Sequence, residues 1–455
     1  MEEKTGLTSQ LSAYITGEKS GQLPANIVAR AKTHILDTLG AMISGSVLKP
    51  GQVAIDFVRA QAGPQQATVA GTNVRTSVIL AALANAMTAH ADETDDAHFP
   101  TVTHPGSVIL PAALAIAETQ HRSGKELIDA VVLGYDVMCR VNKALDRESV
   151  SNRGLHPGSL CAGFGAAATA SRLLKLNPQQ TTYALAMAGT QACGINTWRQ
   201  DPEHIDKAFC YSGAPARNGV TAALMAQGGF TATTTVFEGE ENFLRAFSDR
   251  PHPDEINKEL GSRYEILDTS IKKYPAGQPM QATLTGYFSL VNQHNLNGLK
   301  QVQKVVVRLP NSQARTINDR HMPDVNCQYL LAVAMIDGKV DFQNSHDFER
   351  MHDPQVLDLK KRVELKADPD LTKNFPAVRS AIVEILTTDG RHFEILVDRL
   401  PGAPYNPLSA AEVEEKFLSL SRPLLGETSS QSVAQTMRNL ENLPDVVALA
   451  TLLGI

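Results

Sequence analysis

The densest group of ionisable side chains in this 455-residue sequence lies between residues 90 and 106. Its members are His90, Asp92, Glu93, Asp95, Asp96, His98 and His104. The flanking apolar stretches, VILAALANAMTA and SVILPAALAIAE, have the composition of core helices, which would hold the intervening loop rigidly. Carboxylates and imidazoles in such a loop predict general acid/base catalysis. A solvated acidic loop is one alternative, and a metal site without HExxH-type ligand spacing is another.

Several other segments carry polar groups that are suited to binding an anion. His156 precedes a Gly/Ala-rich helix, whose N-terminal N–H groups would attract an anion. Lys207 lies shortly before another apolar helix, and Lys272 and Lys273 are adjacent in IKKYPA. Arg199 follows a Gly-Ile-Asn turn and carries the planar donor group that pairs with carboxylates. Taken alone, none of these cations identifies a site, because a cation on a protein surface is far more often simply solvated.

Helical spacing and capping signals dominate the sequence from about residue 24 to residue 247. Ser123 and Glu126 form a capping box at the start of one helix, and Asn177 before Pro178 begins another. Segments such as CAGFGAAATASRLL and GVTAALMAQGG are small and apolar on every face, which is typical of central helices in a bundle. The first part of the chain is therefore predicted to be almost wholly helical.

The pattern changes after about residue 264. The β-branched run QVQKVVVRLP predicts a strand, and SAIVEILTTDGRHFEILV predicts two strands joined at Asp389-Gly390. VNCQYLLAVAMIDGKV is expected to be a helix that ends at Gly338. Helical patterns return in the last 50 residues, beginning near Ser409.

These elements predict a mostly α protein with a smaller α+β domain. The large all-helical domain would be formed by residues 1–265 together with residues 405–455. The α+β domain would be an insertion over residues 266–404.

Composition limits the classes of partner. The 42 Lys plus Arg and 48 Asp plus Glu give a net charge of −6, so neither nucleic acid nor an anionic membrane is an expected partner. An acidic ligand would need a local basic pocket. The five cysteines include no CxxC pair, the segment MEEKTGLTSQ lacks the apolar core of a signal peptide, and no 18-residue apolar run occurs. We therefore expect a cytoplasmic protein.

Several segments, taken in order along the chain, resemble the MmgE/PrpD family. They are ILDTLG, HA…DD…THPG, LGYDVMCRV, LHPGSLCAGFGAA, DKAF ahead of ARNG, IKKYPA and DRLPGAPYNPLSAAEVEEKF. Each motif alone is weak, but their order over residues 8–440 is specific. Members of this family act on small polycarboxylates by removing a proton or carbon dioxide next to a carboxylate.

The resemblance implies a homodimer that uses no metal and no organic cofactor, with the inserted domain serving as a lid. The implied catalytic residues are His104, Glu93, Asp96, Lys207 and Lys272. In these roles the histidine or a loop carboxylate would move the proton, and the lysines would hold substrate carboxylates. The expected substrate-binding residues, from the resemblance and from the cations described above, are Lys207, Lys272, His156, Tyr135, Arg199 and Lys273.

The sequence also departs from the family's pattern. Glu93 stands where an aspartate is usual, Cys210-Tyr211 stands where a histidine is common, and AGQPMQ follows the IKKYP segment. Because these residues would line the specificity pocket, no particular polycarboxylate is assigned. We predict a cofactor-independent lyase, either a dehydratase or a decarboxylase. The alternatives are an isomerase or epimerase that shares the proton abstraction, a non-catalytic carboxylate-binding homologue, and a metal-dependent hydrolase.

Overall fold

The computed structural model describes residues 6–17, 23–61 and 63–455. The chain forms two compact units. The first unit comprises the chain up to Ala91, then Asp95–Thr269 and Ala410–Ile455, and the second comprises Asp92–Thr94 and Ser270–Ser409. The first is helical and the second combines helices with a sheet, which confirms the predicted fold class.

Helices build the first unit. They are Leu7–Thr16, Ala25–Gly45, Lys49–Gln61, Val78–Ala89, Gly106–Thr119, Gly124–Ala144, Arg147–Asn152, Pro157–Leu173, Pro178–Thr190, Ile205–Ala208, Ala214–Gln227, Phe243–Phe247, Ala410–Arg438 and Val447–Leu453. The two-residue strands of the first unit are Ala67–Thr68, Arg75–Thr76 and Ala97–His98. The strand Thr269–Ser270 lies where the chain passes from the first unit to the second. The capping box predicted at Ser123 is present, and Asn177 caps its helix as predicted and forms a capping box with Gln180. The sequence could predict these features because a cap depends on residues only three positions apart.

The centre of the first unit is the small-residue helix Pro157–Leu173. Every residue of this helix except Arg172 is buried, and it packs against Gly124–Ala144 and Ala214–Gln227. Glycine and alanine let the three backbones approach closely, so the prediction of a central bundle helix is confirmed. Among the described residues, no helix is long and apolar enough to cross a bilayer.

A four-stranded sheet forms the framework of the second unit. In spatial order its strands are Val363–Ala367, Val302–Leu309, Ala381–Thr387 and His392–Val397. The first two strands are parallel, and the remaining pairs are antiparallel. The hairpin turns at Asp389-Gly390, where the positive φ of 83° at Gly390 suits a glycine. The predicted strands and their turn are thus confirmed.

Helices accompany this sheet. They are Gln278–Gln293, Gly298–Gln301, Asn311–Ile317, Cys327–Asp337, Phe342–Ser345, Pro354–Lys360 and Pro369–Lys373. The helix Cys327–Asp337 ends at Gly338 in the left-handed conformation, as predicted. The helix Gln278–Gln293 packs on the strand Ala381–Thr387, whose residues alternate between buried and half-buried. That alternation is expected when one face of a strand covers the core.

Candidate active site

A carboxylate between two imidazoles is the central feature of the candidate active site in the first unit. His90 ends the helix Val78–Ala89, and its Nδ1 lies 2.8 Å from Asp95 Oδ2. The other oxygen of the same carboxylate, Oδ1, lies 3.2 Å from His104 Nδ1. The side chains of His90 and Asp95 are wholly buried, whereas that of His104 is 12% exposed. The exposed member, His104, is therefore the one placed to meet a substrate.

The tautomer of His104 follows from its second partner. Its Nδ1 lies 2.7 Å from the backbone carbonyl oxygen of Asp96. Because a carbonyl oxygen only accepts, Nδ1 carries a hydrogen and donates it. Nε2 is then the nitrogen that takes up or delivers a proton, while the Asp95 carboxylate stabilises the imidazolium form. This arrangement is suited to act as an acid/base pair.

His90 differs from His104 in its electrostatic surroundings. Burial lowers the pKa of His90, although Asp95 opposes this effect. His90 therefore favours its neutral form and orients the Asp95 carboxylate instead of neutralising it.

Asp96, one residue further on, faces the opposite way into the core. Its Oδ2 accepts hydrogen bonds from the Tyr135 hydroxyl at 2.6 Å and from His34 Nδ1 at 2.8 Å. Its Oδ1 accepts the Gly106 N–H at 2.9 Å. A Cβ at Gly106 would lie 2.9 Å from that same Oδ1 and 2.8 Å from the Tyr135 hydroxyl, so a larger residue at this position would displace the buried network. Asp96 is wholly buried and fixes the backbone that carries His104.

Tyr135 belongs to this buried network. The side chain is 1% exposed, and burial, with Asp96 adding to it, raises the pKa of the phenol well above its ordinary value. The hydroxyl therefore stays protonated and donates to the carboxylate. The structure thus places two predicted residues, Tyr135 and Asp96, in the buried hydrogen-bond network that holds His104 in position. Their predicted roles in catalysis and binding stay predictions.

A stack of three rings extends the site on the other side of His90. The π-helical turn Phe209–Gly213 places the Tyr211 ring 5.2 Å from the His90 ring at an interplanar angle of 10°. The opposite neighbour of Tyr211 is His156, at 4.0 Å and 23°. His156 also caps the helix Pro157–Leu173, because its Nδ1 accepts the Ser159 N–H at 3.1 Å. One of the helix N–H groups predicted to face an anion is therefore already satisfied by the histidine ring.

His156 is held in its neutral form. Burial lowers the pKa of this imidazole well below its ordinary value, and the nearby charges of His104 and Lys207 act in the same direction. With Nδ1 acting as an acceptor, the hydrogen of the neutral ring is on Nε2. The side chain therefore offers one hydrogen-bond donor without a charge.

Two cations lie against the aromatic rings of this site. The Lys207 Nζ is 5.1 Å from the centre of the Tyr211 ring and 5.6 Å from that of Trp198. The Arg199 guanidinium lies 5.4 Å from the Trp198 ring. All three distances are within the range of cation–π attraction, which orients a cation without removing its charge. The structure thus brings the predicted His104, His156, Lys207 and Arg199 into one region of the first unit.

The remaining predicted residues, Glu93, Lys272 and Lys273, lie in the second unit. The Lys272 Nζ donates a hydrogen bond to the Glu93 carbonyl oxygen at 2.7 Å and lies 3.6 Å from Glu93 Oε2. Lys272 is 1% exposed, whereas Lys273 is exposed and lies 5.6 Å from the Tyr274 ring. The two adjacent lysines therefore have different surroundings, and Lys272 is the one paired with the acidic segment.

The histidine–aspartate group also contains atoms of the kinds that bind metal ions. Ligand atoms of His90, Asp95 and His104 lie within 4.8 Å of one another. The Nδ1 of His104, however, uses its hydrogen for the carbonyl of Asp96. Nδ1 in that state has no lone pair to offer a metal, so a metal at His104 would have to bind Nε2, the nitrogen that also takes up or delivers a proton.

Sequence reasoning missed two features of this site. It did not single out Asp95 as the direct partner of His104, and it treated Tyr211 only as a departure from the family pattern. Tyr211 lies four residues after Lys207, a spacing that puts two side chains on one face of a helix and therefore predicts their contact. No comparable local signal indicates that Asp95, and not its neighbour Asp96, is the carboxylate that contacts His104.

The fold is mostly helical, and the candidate site combines a histidine–carboxylate pair with neighbouring cations, which are groups suited to proton transfer on anionic molecules. The MmgE/PrpD N-terminal domain matches residues 9–256, and the MmgE/PrpD C-terminal domain matches residues 274–442. The chain belongs to the MmgE/PrpD family.

Similar proteins cover almost the whole chain. Cis-aconitate decarboxylase from Homo sapiens is 28% identical over 98% of this chain and 94% of its own length. Cis-aconitate decarboxylase from Aspergillus terreus is 26% identical over 99% of this chain and 96% of its own length. The Mus musculus protein of the same name is 26% identical, over 98% and 93% respectively. These relatives support a lyase of the MmgE/PrpD type.

Proposed function

We propose that this protein is a cofactor-independent lyase that decarboxylates a small unsaturated tricarboxylic acid, with cis-aconitate as the first substrate to test. The observation that carries the proposal is the contact between His104 and Asp95. Because the Nδ1 of His104 donates its hydrogen to a carbonyl, the Nε2 of the same ring is the nitrogen that can exchange a proton. The names of the relatives favour decarboxylation over the other reactions of the predicted class.

The proposed reaction balances with one proton. Carbon dioxide leaves from the CH₂–carboxylate arm, and the electron pair of the broken C–C bond forms a new double bond to the central carbon. The pair of the original double bond moves to the former alkene CH, where His104 Nε2 delivers a proton. The product is 2-methylenesuccinate, and the histidine recovers its proton from water. Asp95 lowers the barrier by stabilising the imidazolium that donates the proton.

Cations of the first unit have the chemistry to hold the substrate. Lys207 is a point charge suited to one carboxylate, and Arg199 offers paired donors to another. Neutral His156 would donate a hydrogen bond from Nε2. Such groups orient the acid and offset the negative charge that develops as carbon dioxide departs.

Roles for the second-unit residues are part of the same proposal. Lys272 would bind a carboxylate, with Glu93 adjusting its position and charge, as the family resemblance implies. Lys273 is the weakest member of the predicted set, because its exposed position is typical of a solvated side chain. Homodimer formation, the cytoplasmic location and the predicted domain limits stay predictions.

The proposal is tested by proton NMR of the purified protein in D₂O with cis-aconitate, citrate, 2-methylcitrate, trans-aconitate and iminodisuccinate. We expect carbon dioxide release and 2-methylenesuccinate that carries one deuterium on the CH₂ beside a carboxylate. Deuterium in a methyl group would show protonation at the other end of the allylic system and would contradict the mechanism.

Other outcomes discriminate between the alternatives. Interconversion of an alkene with a hydroxy acid, without carbon dioxide, would indicate a dehydratase. Deuterium in an otherwise unchanged acid would indicate an epimerase, and saturable binding without turnover would indicate a binding protein. The variant His104→Gln is expected to abolish turnover. Its matched control is His121→Gln, a histidine whose side chain is 72% exposed and paired with Asp445.

A further inference from the structure

A buried ion pair joins His346 to Asp92 within the second unit. The His346 Nε2 lies 2.9 Å from Asp92 Oδ2, and the two side chains are 8% and 1% exposed. His346 follows the helix Phe342–Ser345, and its Nδ1 lies 2.8 Å from the Phe342 carbonyl oxygen. Because the carbonyl only accepts, Nδ1 carries a hydrogen. The short distance between Nε2 and the Asp92 carboxylate favours the imidazolium form of the ring, which makes the contact an ion pair.

The protonation states of this pair agree with the geometry. Burial alone would lower the pKa of His346, but Asp92, with Asp324 nearby, raises it to about 9. Burial also opposes the charge on Asp92, yet His346 and Thr94 hold the pKa of that carboxyl below its ordinary value. The charged pair is therefore the stable form at neutral pH.

Residues 92–94 are held by this pair together with three further contacts. The Asp92 Oδ1 accepts the Thr94 N–H at 2.8 Å, which closes a tight turn. The Glu93 N–H points to Asp324 Oδ2 at 3.3 Å, and the Glu93 carbonyl accepts the Lys272 ammonium at 2.7 Å. The three partners named here, His346, Asp324 and Lys272, belong to distant parts of the sequence in the second unit.

The charges of this group depend on one another. His346 and Lys272 are cations, and Asp92, Glu93 and Asp324 supply carboxyl groups close to them. Removing one cation from a buried group leaves a carboxylate without compensation, and the segment must then move to regain solvent or a new partner. A displacement of about 1 Å is enough to lower a catalytic rate on the order of a hundredfold.

We propose that His346 is a positioning residue, whose contact with Asp92 holds residues 92–94 so that Glu93 and Lys272 keep their working geometry. The structural part of this inference concerns only the second unit. Its catalytic part rests on the proposed function, because it assumes that Glu93 and Lys272 act on the substrate. His346 lies outside every motif that the sequence pointed to.

The test compares two substitutions at this position with one matched control. His346→Gln keeps an N–H donor toward Asp92 without the charge, and His346→Leu removes both. The control is His392→Gln, since His392 also pairs with a carboxylate of the same unit, Glu384 at 3.3 Å, but its side chain is 55% exposed.

Two measurements are made on each full-length variant. The first is amide hydrogen exchange of peptides covering residues 90–99 and residues 327–337, the latter reporting the helix Cys327–Asp337. We expect His346→Leu to speed exchange at residues 93–94 by about tenfold or more, with the helix unchanged, because loss of the anchor opens the segment locally. The second is steady-state turnover of the acid identified above. We expect kcat to fall about 10- to 100-fold, with a smaller change in KM, and His346→Gln to recover part of the loss.

Each outcome supports or overturns a defined part of the inference. Unchanged exchange at residues 93–94 in a folded His346→Leu protein would refute the anchoring role. Faster exchange with wild-type kcat would refute the catalytic consequence. Faster exchange in a protein whose wild type converts none of the acids would leave the anchor intact and reject the proposed function. If His346→Leu does not fold, His346→Gln and Asp92→Asn provide the same comparison.

Discussion

Replacing Asp95 with asparagine tests the acid/base pair most directly. The substitution keeps the shape of the side chain but removes the charge that lies 3.2 Å from His104 Nδ1. At that separation and an effective dielectric constant of about 20, the attraction between the carboxylate and an imidazolium is about 5 kcal/mol, which is an upper bound. His104 is partly exposed and keeps its bond to the Asp96 carbonyl, so we take about half of this value as lost.

A loss of about 2.5 kcal/mol in the stabilisation of the transition state corresponds to a fall in kcat of about 100-fold. The assay is the release of carbon dioxide and the appearance of 2-methylenesuccinate, followed by NMR at saturating substrate. The matched control is Asp56→Asn, because Asp56 pairs with Arg59 on the surface with its side chain 73% exposed. A folded Asp95→Asn protein with the kcat of the wild type would refute the assignment of His104 and Asp95 as a catalytic pair.

Three further predictions follow from the same geometry. Tyr135→Phe removes a buried donor to a carboxylate, so urea unfolding should show a loss of about 1.5–3 kcal/mol in the free energy of unfolding. The control Tyr264→Phe loses an exposed hydrogen bond to a carbonyl and should cost less than about 1 kcal/mol. Equal losses in the two variants would contradict the role of the network. Lys207→Met should raise KM for the polycarboxylate by about tenfold or more. The control Lys175→Met, at an exposed surface lysine, should leave KM unchanged. An unaltered KM in Lys207→Met would show that Lys207 does not bind the substrate. Because the pKa of His346 is raised to about 9 from an ordinary 6.5, its contribution to stability, on the order of 3 kcal/mol, is complete below pH 6.5 and lost as the pH rises through 9. Urea unfolding between pH 6 and pH 10 should therefore show a steeper loss for the wild type than for His346→Gln, and parallel curves would contradict the ion pair.

At the site, the sequence indicates which segments take part, whereas the tertiary structure decides which side chains contact each other. Sequence patterns located the acidic segment, the histidine before Gly106 and the lysines at residues 207 and 272. They also showed that the segment joins two core helices, Val78–Ala89 and Gly106–Thr119, which the structure confirms. They could not say which of the neighbouring carboxylates meets His104, because residues 95–96 lie outside any regular helix or strand whose period fixes the side-chain directions.

The sequence by itself determined the features that depend on near neighbours. The capping box at Ser123, the hairpin turn at Gly390 and the helix end at Gly338 each follow from residues a few positions apart, and each is present in the structure. The small apolar residues of Pro157–Leu173 likewise indicated a central helix, because the composition of a whole helix reports how closely its neighbours approach.

Only the tertiary structure decided which distant groups share a charge or a hydrogen bond. Asp96 turns inward because Tyr135 and His34, 39 and 62 residues away in the chain, supply buried donors for its carboxylate. Asp92 is held by His346, which no motif connects to it. The physical reason is that an ionised group must find its partners wherever the folded chain excludes water, and the sequence distance to those partners carries no signal.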